Sequence, residues 1–457
     1  MARAHRGFLV LEADALSEGA WTASVEAMLR GSSRALDSDG KPTGKERKAR
    51  FSVILVGTDT ALWRLRDTHP RAELLFRRRV PSSNDLPRDC QGVGLVASLL
   101  QDHIEREGLG PVSTAAIRWL VEEGAGGRIR RKRISLDLDR FYQALSEARG
   151  ETSASLTRPR VEARLQALRD RNADAEDYAR FRVDEDLLAV ETEGNAVGLV
   201  NGLMVYGSSR QPYAMPGRIS ARISVGREGL INIEREAKYS GRSFDKGMFQ
   251  LSAYLRGLFG SESPLGVAAT LVFEQSNGKV DGDSATLAES VALLSALAEL
   301  PCRQGVAISG SINQRGEVLP VGSVNLKVEG WWKTCKQRGL TGTQGVVLPR
   351  RNRPDLQLPE EIVTAVSEGR FHIWAVSHIH EALPVVLGQP AGKAKKDGGF
   401  TANSVLDRAE RRVNRLSERL YPKRKAQVSK AAKTKAAARP KRAARRKPAA
   451  AQSKPKA

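Results

Sequence analysis

The stretch Phe273-Glu-Gln-Ser-Asn-Gly-Lys-Val-Asp-Gly-Asp-Ser-Ala-Thr-Leu-Ala-Glu289 decides how this chain is read. The residues before it, Val267 to Phe273, are a short apolar run that reads as a buried strand. A polar loop containing Gly278 and Gly282 follows, and near Ser284 an apolar helix opens. A serine at a helix mouth has two readings. As an N-cap it accepts a hydrogen bond from a backbone amide. As a nucleophile it uses loop amides and the positive helix end to hold an oxyanion.

A second stretch bears on that choice. In Gly316-Glu-Val-Leu-Pro-Val-Gly322-Ser-Val-Asn-Leu-Lys327-Val-Glu a hairpin strand, formed around Asn313 to Gly316, ends in a tight glycine turn, and a helix begins near Asn325. Lys327 has Leu326 and Val328 beside it and Trp331 one turn on, a setting that can strip water from an ammonium. Desolvation lowers a lysine pKa, so the amine can be neutral near pH 7 and accept a serine proton. No histidine is then required.

Around these motifs, residues 184–390 alternate strands and helices. Strands are expected at Gly198 to Tyr206, Arg218 to Val225, Leu230 to Glu234, Gly345 to Leu348 and Phe371 to Ala375, and a helix at Asp245 to Leu258. Further upstream, Gly7 to Leu11, Trp21 to Arg30 and Phe51 to Val56 form a βαβ-like opening with a polar loop from Gly31 to Ala49. Three apolar-periodic segments between Leu86 and Gly150 form a small helical module, and Glu151 to Arg180 reads as a connecting helix or linker.

Charge is uneven. The formal net charge is +22, and the last 35 residues hold 14 Lys and Arg and no Asp or Glu, leaving +8 on residues 1–422. That Ala/Lys/Pro-rich tail has nothing aromatic after Tyr421, so it reads as disordered, and either as a grip for a polyanion such as DNA or polyphosphate or as a solubilising tail.

Several classes are excluded. No apolar run approaches the roughly 18 residues of a membrane span, and the N-terminal run Gly7 to Leu11 is too short for a signal peptide. Cys90, Cys302 and Cys335 lie far apart, which predicts three free thiols. His378 and His380 lack a third ligand of matching spacing, and the segment Ser377 to Leu387 reads as a helix start rather than a metal site. Gly40-Lys-Pro-Thr-Gly44-Lys45-Glu46 is one residue short of a phosphate-cradling loop and reads as surface loop.

The nucleophile-loop stretch, the hairpin Ile308-Ser-Gly-Ser-Ile-Asn-Gln-Arg-Gly-Glu317 and Gly322-Ser-Val-Asn-Leu-Lys327-Val-Glu-Gly330 together resemble the proteolytic domain of Lon proteases, especially the B-type and Lon-like subgroup. The order and the 43-residue step from Ser284 to Lys327 suit that family. The resemblance implies an α+β fold with mixed sheets and helices, Ser284 as nucleophile and Lys327 as general base. It also implies Ser309 as a hydroxyl bonded to the lysine, with Asp283 and Gly282 in support. Ser323 departs from the pattern, where the family commonly has a second glycine. The first third resembles an AAA+ α/β module more weakly. Gly7 to Glu12 is similar to a Walker B strand with Glu12 at the metal-binding position, Ser52 to Gly57 to a sensor strand, and Arg77 lies where an arginine finger would be.

The expected organisation is a partial AAA+ module (1–84), a helical lid (85–150), a linker helix (151–183), the Lon-like proteolytic domain (184–390), a connecting helix (391–422) and the basic tail (423–457). The expected activity is that of a cytoplasmic serine endopeptidase of the endopeptidase La type, acting on unfolded proteins or peptides. The resemblance further implies a homo-hexamer, no metal at the dyad, and ATP with magnesium only if the module is completed upstream. No membrane partner is expected, and a DNA-binding tail would bring nucleoid association. The rival reading is a catalytically idle relic that acts as a polyanion-binding or scaffold protein.

Overall fold

The computed structural model describes residues 7–36, 42–48, 52–76, 78–80, 83–126, 132–150, 154–171, 173–207, 212–260, 265–276, 278–396 and 398–422. The chain divides into two compact units, Met1–Ser83 and Asn84–Ala457. No helix among the described residues is long and apolar enough to cross a membrane.

In the first unit, strands Phe8–Glu12 and Ser52–Val56 pair in parallel, with Glu12 opposite Val56. Helix Glu18–Arg30 crosses between them, and Trp21, Val25, Ala61 and Leu65 form a small core. The polar segment expected to be a loop is instead an antiparallel hairpin of Ser32–Leu36 with Pro42–Lys48. Its pairing comes from backbone hydrogen bonds between polar strands, which apolar periodicity cannot report. The glycine-lysine segment resembling a phosphate loop therefore runs into a strand from Pro42 onward.

The second unit begins with helices Cys90–Arg106, Thr114–Gly126, Asp139–Gly150 and Arg158–Asp170, whose apolar faces meet around Leu100, Leu120, Phe141, Leu145 and Leu165. The expected single linker helix is thus two. Arg158–Asp170 belongs to this bundle, and a separate helix, α1 (Asp174–Asp184), follows.

The remainder is built on a seven-stranded mixed sheet. Its strands are β1 (Leu199–Gly207), β2 (Pro212–Val225), β3 (Gly229–Asn232), β4 (Val267–Phe273), β5 (Val306–Ile308), β6 (Gly345–Pro349) and β7 (His372–Val376), in spatial order β3-β4-β2-β1-β5-β6-β7. β1 and β2 form a long antiparallel pair with Met204 opposite Met215. β5, β6 and β7 run parallel to one another and to β1. Side chains alternate along a strand, and the central strands separate accordingly. Ile308 and Val347 join one core, with helices α2 (Arg242–Phe259), α3 (Thr286–Ala298), α5 (Ile379–Leu387) and α6 (Val405–Leu420). Ala307, Val346 and Leu348 join the other, with α4 (Val324–Arg338) and its Trp331 and Trp332. A sheet with helices on both faces explains why the parallel strands read as unbroken apolar runs.

Helix α3 is buried along its whole length, the consequence of an apolar surface all round. The helix expected to connect onward to the tail, α6, instead seats Val405, Leu406, Ala409, Val413 and Leu416 in this core. It packs there because those residues form one apolar stripe at helical spacing.

Candidate active site

Ser284 lies two residues before the first turn of α3, so it is not that helix's N-cap; Ala285 occupies the cap position. The loop that carries it is pinned to the end of β5. Gly310 donates its amide to the Ser284 carbonyl at 2.8 Å, and Leu287 donates its amide to the Gly310 carbonyl at 3.0 Å. Gly282, at φ +96°, supplies the left-handed turn that brings the chain into the helix. The amides of Ser284 and Ala285 donate to no acceptor among the described residues. Two backbone donors are therefore left beside the positive end of a buried helix.

Lys327 sits in the first turn of α4, and its amide bonds to the Ser323 carbonyl at 3.1 Å. Ser323 holds φ 57°, ψ 33°, so the left-handed turn expected of a glycine is kept by a serine. Further along, α4 approaches β2 closely. A Cβ on Gly330 would lie 2.2 Å from the Ala214 carbonyl oxygen, so only glycine lets the helix lie this near the strand.

The two elements bring Lys327 Nζ to 2.9 Å from Ser284 Oγ and 2.9 Å from Ser309 Oγ. The lysine side chain is buried, with 3 % of its surface exposed. Desolvation lowers its pKa from 10.5 to about 8, opposed by the carboxylate of Asp283. Ser309 is fully buried, and its amide donates to Val347 at the sheet. Asp283 accepts a 2.7 Å hydrogen bond from Ser311 Oγ. A groove of about 530 Å³ opens over this cluster, lined among others by Met204, Met215, Phe273, Arg182, Ser284 and Lys327.

Other residues were not singled out from sequence. Asp281 accepts hydrogen bonds from the amides of Ser243, Phe244 and Gly282, closing the start of α2. Gly310 and Ser311 were visible as part of the hairpin motif but carried no role. Helix α1 lines the groove with Tyr178 and Arg182, which no periodicity could have indicated.

Glu12 lies at the exposed end of its strand in the first unit, and Arg77 lies outside the described residues. No phosphate-cradling loop lies beside Glu12 among the described residues. His378 stands at a helix start, as expected for Ser377 to Leu387. It caps α5 and accepts from the His380 amide at 3.2 Å, while His380 Nε2 lies 3.3 Å from the Tyr254 hydroxyl. Burial and the neighbouring His378 push the His380 pKa down to about 4. No group of three or more metal-ligating side chains occurs among the described residues. All three cysteines are free, Cys90 exposed and the others buried.

Residues 274–389 match the family described as Lon protease (S16) C-terminal proteolytic domain. The chain is 43% identical over 205 residues to a protein of Escherichia coli (strain K12) named "Putative Lon protease homolog", covering 44% of this chain and 35% of that one. A protein of the same name from Haemophilus influenzae is 40% identical over 226 residues, 49% of this chain and 38% of that one. An archaeal Lon protease of Halobacterium salinarum is 30% identical over 323 residues, 68% of this chain and 42% of that one. The chain thus spans roughly two-fifths or less of the length of these relatives. The matched domain and these likenesses support the Lon protease family, through a C-terminal proteolytic domain at residues 274–389.

Proposed function

We propose that this chain is a serine endopeptidase of the B-type or Lon-like subgroup, cleaving unfolded proteins or peptides with a Ser284/Lys327 dyad. The observation that carries the reading is a buried lysine whose Nζ stands 2.9 Å from a serine hydroxyl and whose pKa is lowered to about 8. At that pKa a useful fraction of the amine is neutral near pH 7, and its lone pair can accept the Ser284 proton.

As Oγ forms its bond to the substrate carbonyl carbon, the π pair moves onto the carbonyl oxygen. The unpartnered amides of Ser284 and Ala285 are suited to hold that oxyanion. Collapse of the intermediate breaks the C–N bond, and the departing amine takes the proton from Nζ. Water then attacks the acyl-enzyme, passing its proton through the same lysine, and Ser284 is restored. Ser309 is a positioning residue: it accepts from the lysine ammonium and donates to the Ser284 carbonyl at 3.4 Å.

Assembly into a homo-hexamer belongs to the same proposal. The parallel pairing of Phe8–Glu12 with Ser52–Val56 supports a partial AAA+ module, and no catalytic step is routed through ATP. The test is hydrolysis of unfolded casein by the wild type, Ser284→Ala and Lys327→Ala, with and without ATP and magnesium. Both substitutions are expected to lower kcat by at least about 10³-fold, as loss of a nucleophile or its base does. Either variant cleaving at the wild-type rate would sink the dyad.

A further inference from the structure

We infer that Arg182 is a specificity-determining residue that receives an acidic side chain of the peptide lying in the groove. The inference rests on the endopeptidase reading for what occupies the groove, and on the following geometry for the charge.

The groove that contains Ser284 and Lys327 has one wall made by helix α1. That wall is fixed in place. Glu176 accepts from Arg180 at 2.6 Å and from Lys333 of α4 at 2.8 Å, Asp184 bonds Gln337, and Arg338 donates to Asp186 at 2.6 Å. Apart from the Glu176–Arg180 pair, these ties run to α4, the helix that carries Lys327. Arg180 is thereby neutralised by Glu176. Arg182, two residues on, has no carboxylate partner among the described residues, although it is half-buried in the groove wall.

The other charges of the groove are accounted for. Arg218 and Glu274 pair with each other at 3.1 Å. The Asp281 carboxylate is held by three amides at the start of α2, where the helix end balances it. Lys279 is exposed, so water screens its charge, and it acts on the nearby Asp281 carboxylate. Arg182 is thus the uncompensated, partly desolvated cation of the wall. It stands beside Tyr206, whose ring stacks on Tyr213 at 5.8 Å. A guanidinium flanked by an aromatic surface suits a carboxylate carried on a flexible stem, and a fork of N–H donors matches its two oxygens.

The probe is a set of fluorescent decapeptides with an apolar centre, in which one position at a time is Glu or Gln. Binding is measured on Ser284→Ala chains with and without Arg182→Gln, and hydrolysis on the wild type and Arg182→Gln. At one position the Glu peptide is expected to bind, and to be cut by kcat/KM, roughly five- to tenfold better than its Gln twin, as a partly buried ion pair allows. Arg182→Gln removes that preference, Arg182→Glu turns it toward Lys, and Lys279→Gln leaves it in place. Equal binding of every Glu and Gln pair overturns the inference, as does a preference that survives Arg182→Gln. Selective binding without hydrolysis by the wild type overturns the endopeptidase reading alone and leaves the Arg182 site supported.

Discussion

A lysine proposed as a base must be unprotonated, and burial rather than a neighbouring cation is what lowers the Lys327 pKa. Desolvation brings Lys327 to about 8, while Asp283 pulls the other way. Hydrolysis should therefore rise about tenfold per pH unit below pH 8 and level off above it. Asp283→Asn removes the opposing charge and keeps an acceptor for Ser311, so the rising limb should move to lower pH. A kcat/KM profile between pH 5.5 and 9.5 for both chains checks this, and an unmoved limb in Asp283→Asn would show that the carboxylate does not tune the base. Ser309 and the unbonded amides set the geometry within which that tuning acts.

At the scale of the element, helix α3 carries a conflict with its own burial. Glu289 is fully buried, and both its carboxyl oxygens lack a hydrogen-bond partner. Desolvation, with a smaller contribution from the nearby Glu234 carboxylate, raises its pKa to about 8. Glu234 is itself engaged by the Phe273 amide at 2.6 Å, at the edge of the groove. A carboxyl with a raised folded pKa keeps its proton while the unfolded chain has lost one. Its stabilising contribution is complete below about pH 4.5 and is lost as pH rises toward 8. Glu289→Gln, neutral throughout, should spare the helix that loss, on the order of 2–4 kcal/mol across the window. Urea unfolding at pH 5 and pH 8 tests it: a variant that loses as much stability as the wild type between the two values refutes the assignment. Helix α3 was legible because apolar residues fill it, and so were the parallel strands, which alternate with helices in the expected order. The hairpin Ser32–Leu36 with Pro42–Lys48 was not, because polar strands paired by backbone carry no apolar signature. Helix α6 had a readable stripe of Val405, Ala409, Val413 and Leu416, yet a stripe says only that a helix is covered, not by what. For the same reason Ser284 and Lys327 could be paired from motif and spacing, whereas the wall formed by α1 could not. Its nearness to the dyad is a product of the tertiary ties to α4.

The charge of the whole molecule is concentrated in residues whose structure lies outside the described part. Fourteen of the net 22 positive charges fall in residues 423–457, and the fold that carries the dyad is left with a modest excess. The grooved domain is thus electrostatically separable from the tail, so proteolysis and polyanion binding should be dissociable by truncation. Six or more neutralised phosphates would lower affinity for duplex DNA by about 10³-fold between 50 and 200 mM salt. Removing residues 423–457 should abolish most of that binding and its steep salt slope, while casein hydrolysis by the truncated chain stays at the wild-type rate. Fluorescence anisotropy with labelled duplex and with polyphosphate as competitor, at four salt concentrations, reads both quantities. Unchanged affinity and slope after truncation would locate polyanion binding on the folded body. A truncated chain that loses hydrolysis as well would mean that the tail serves the protease directly.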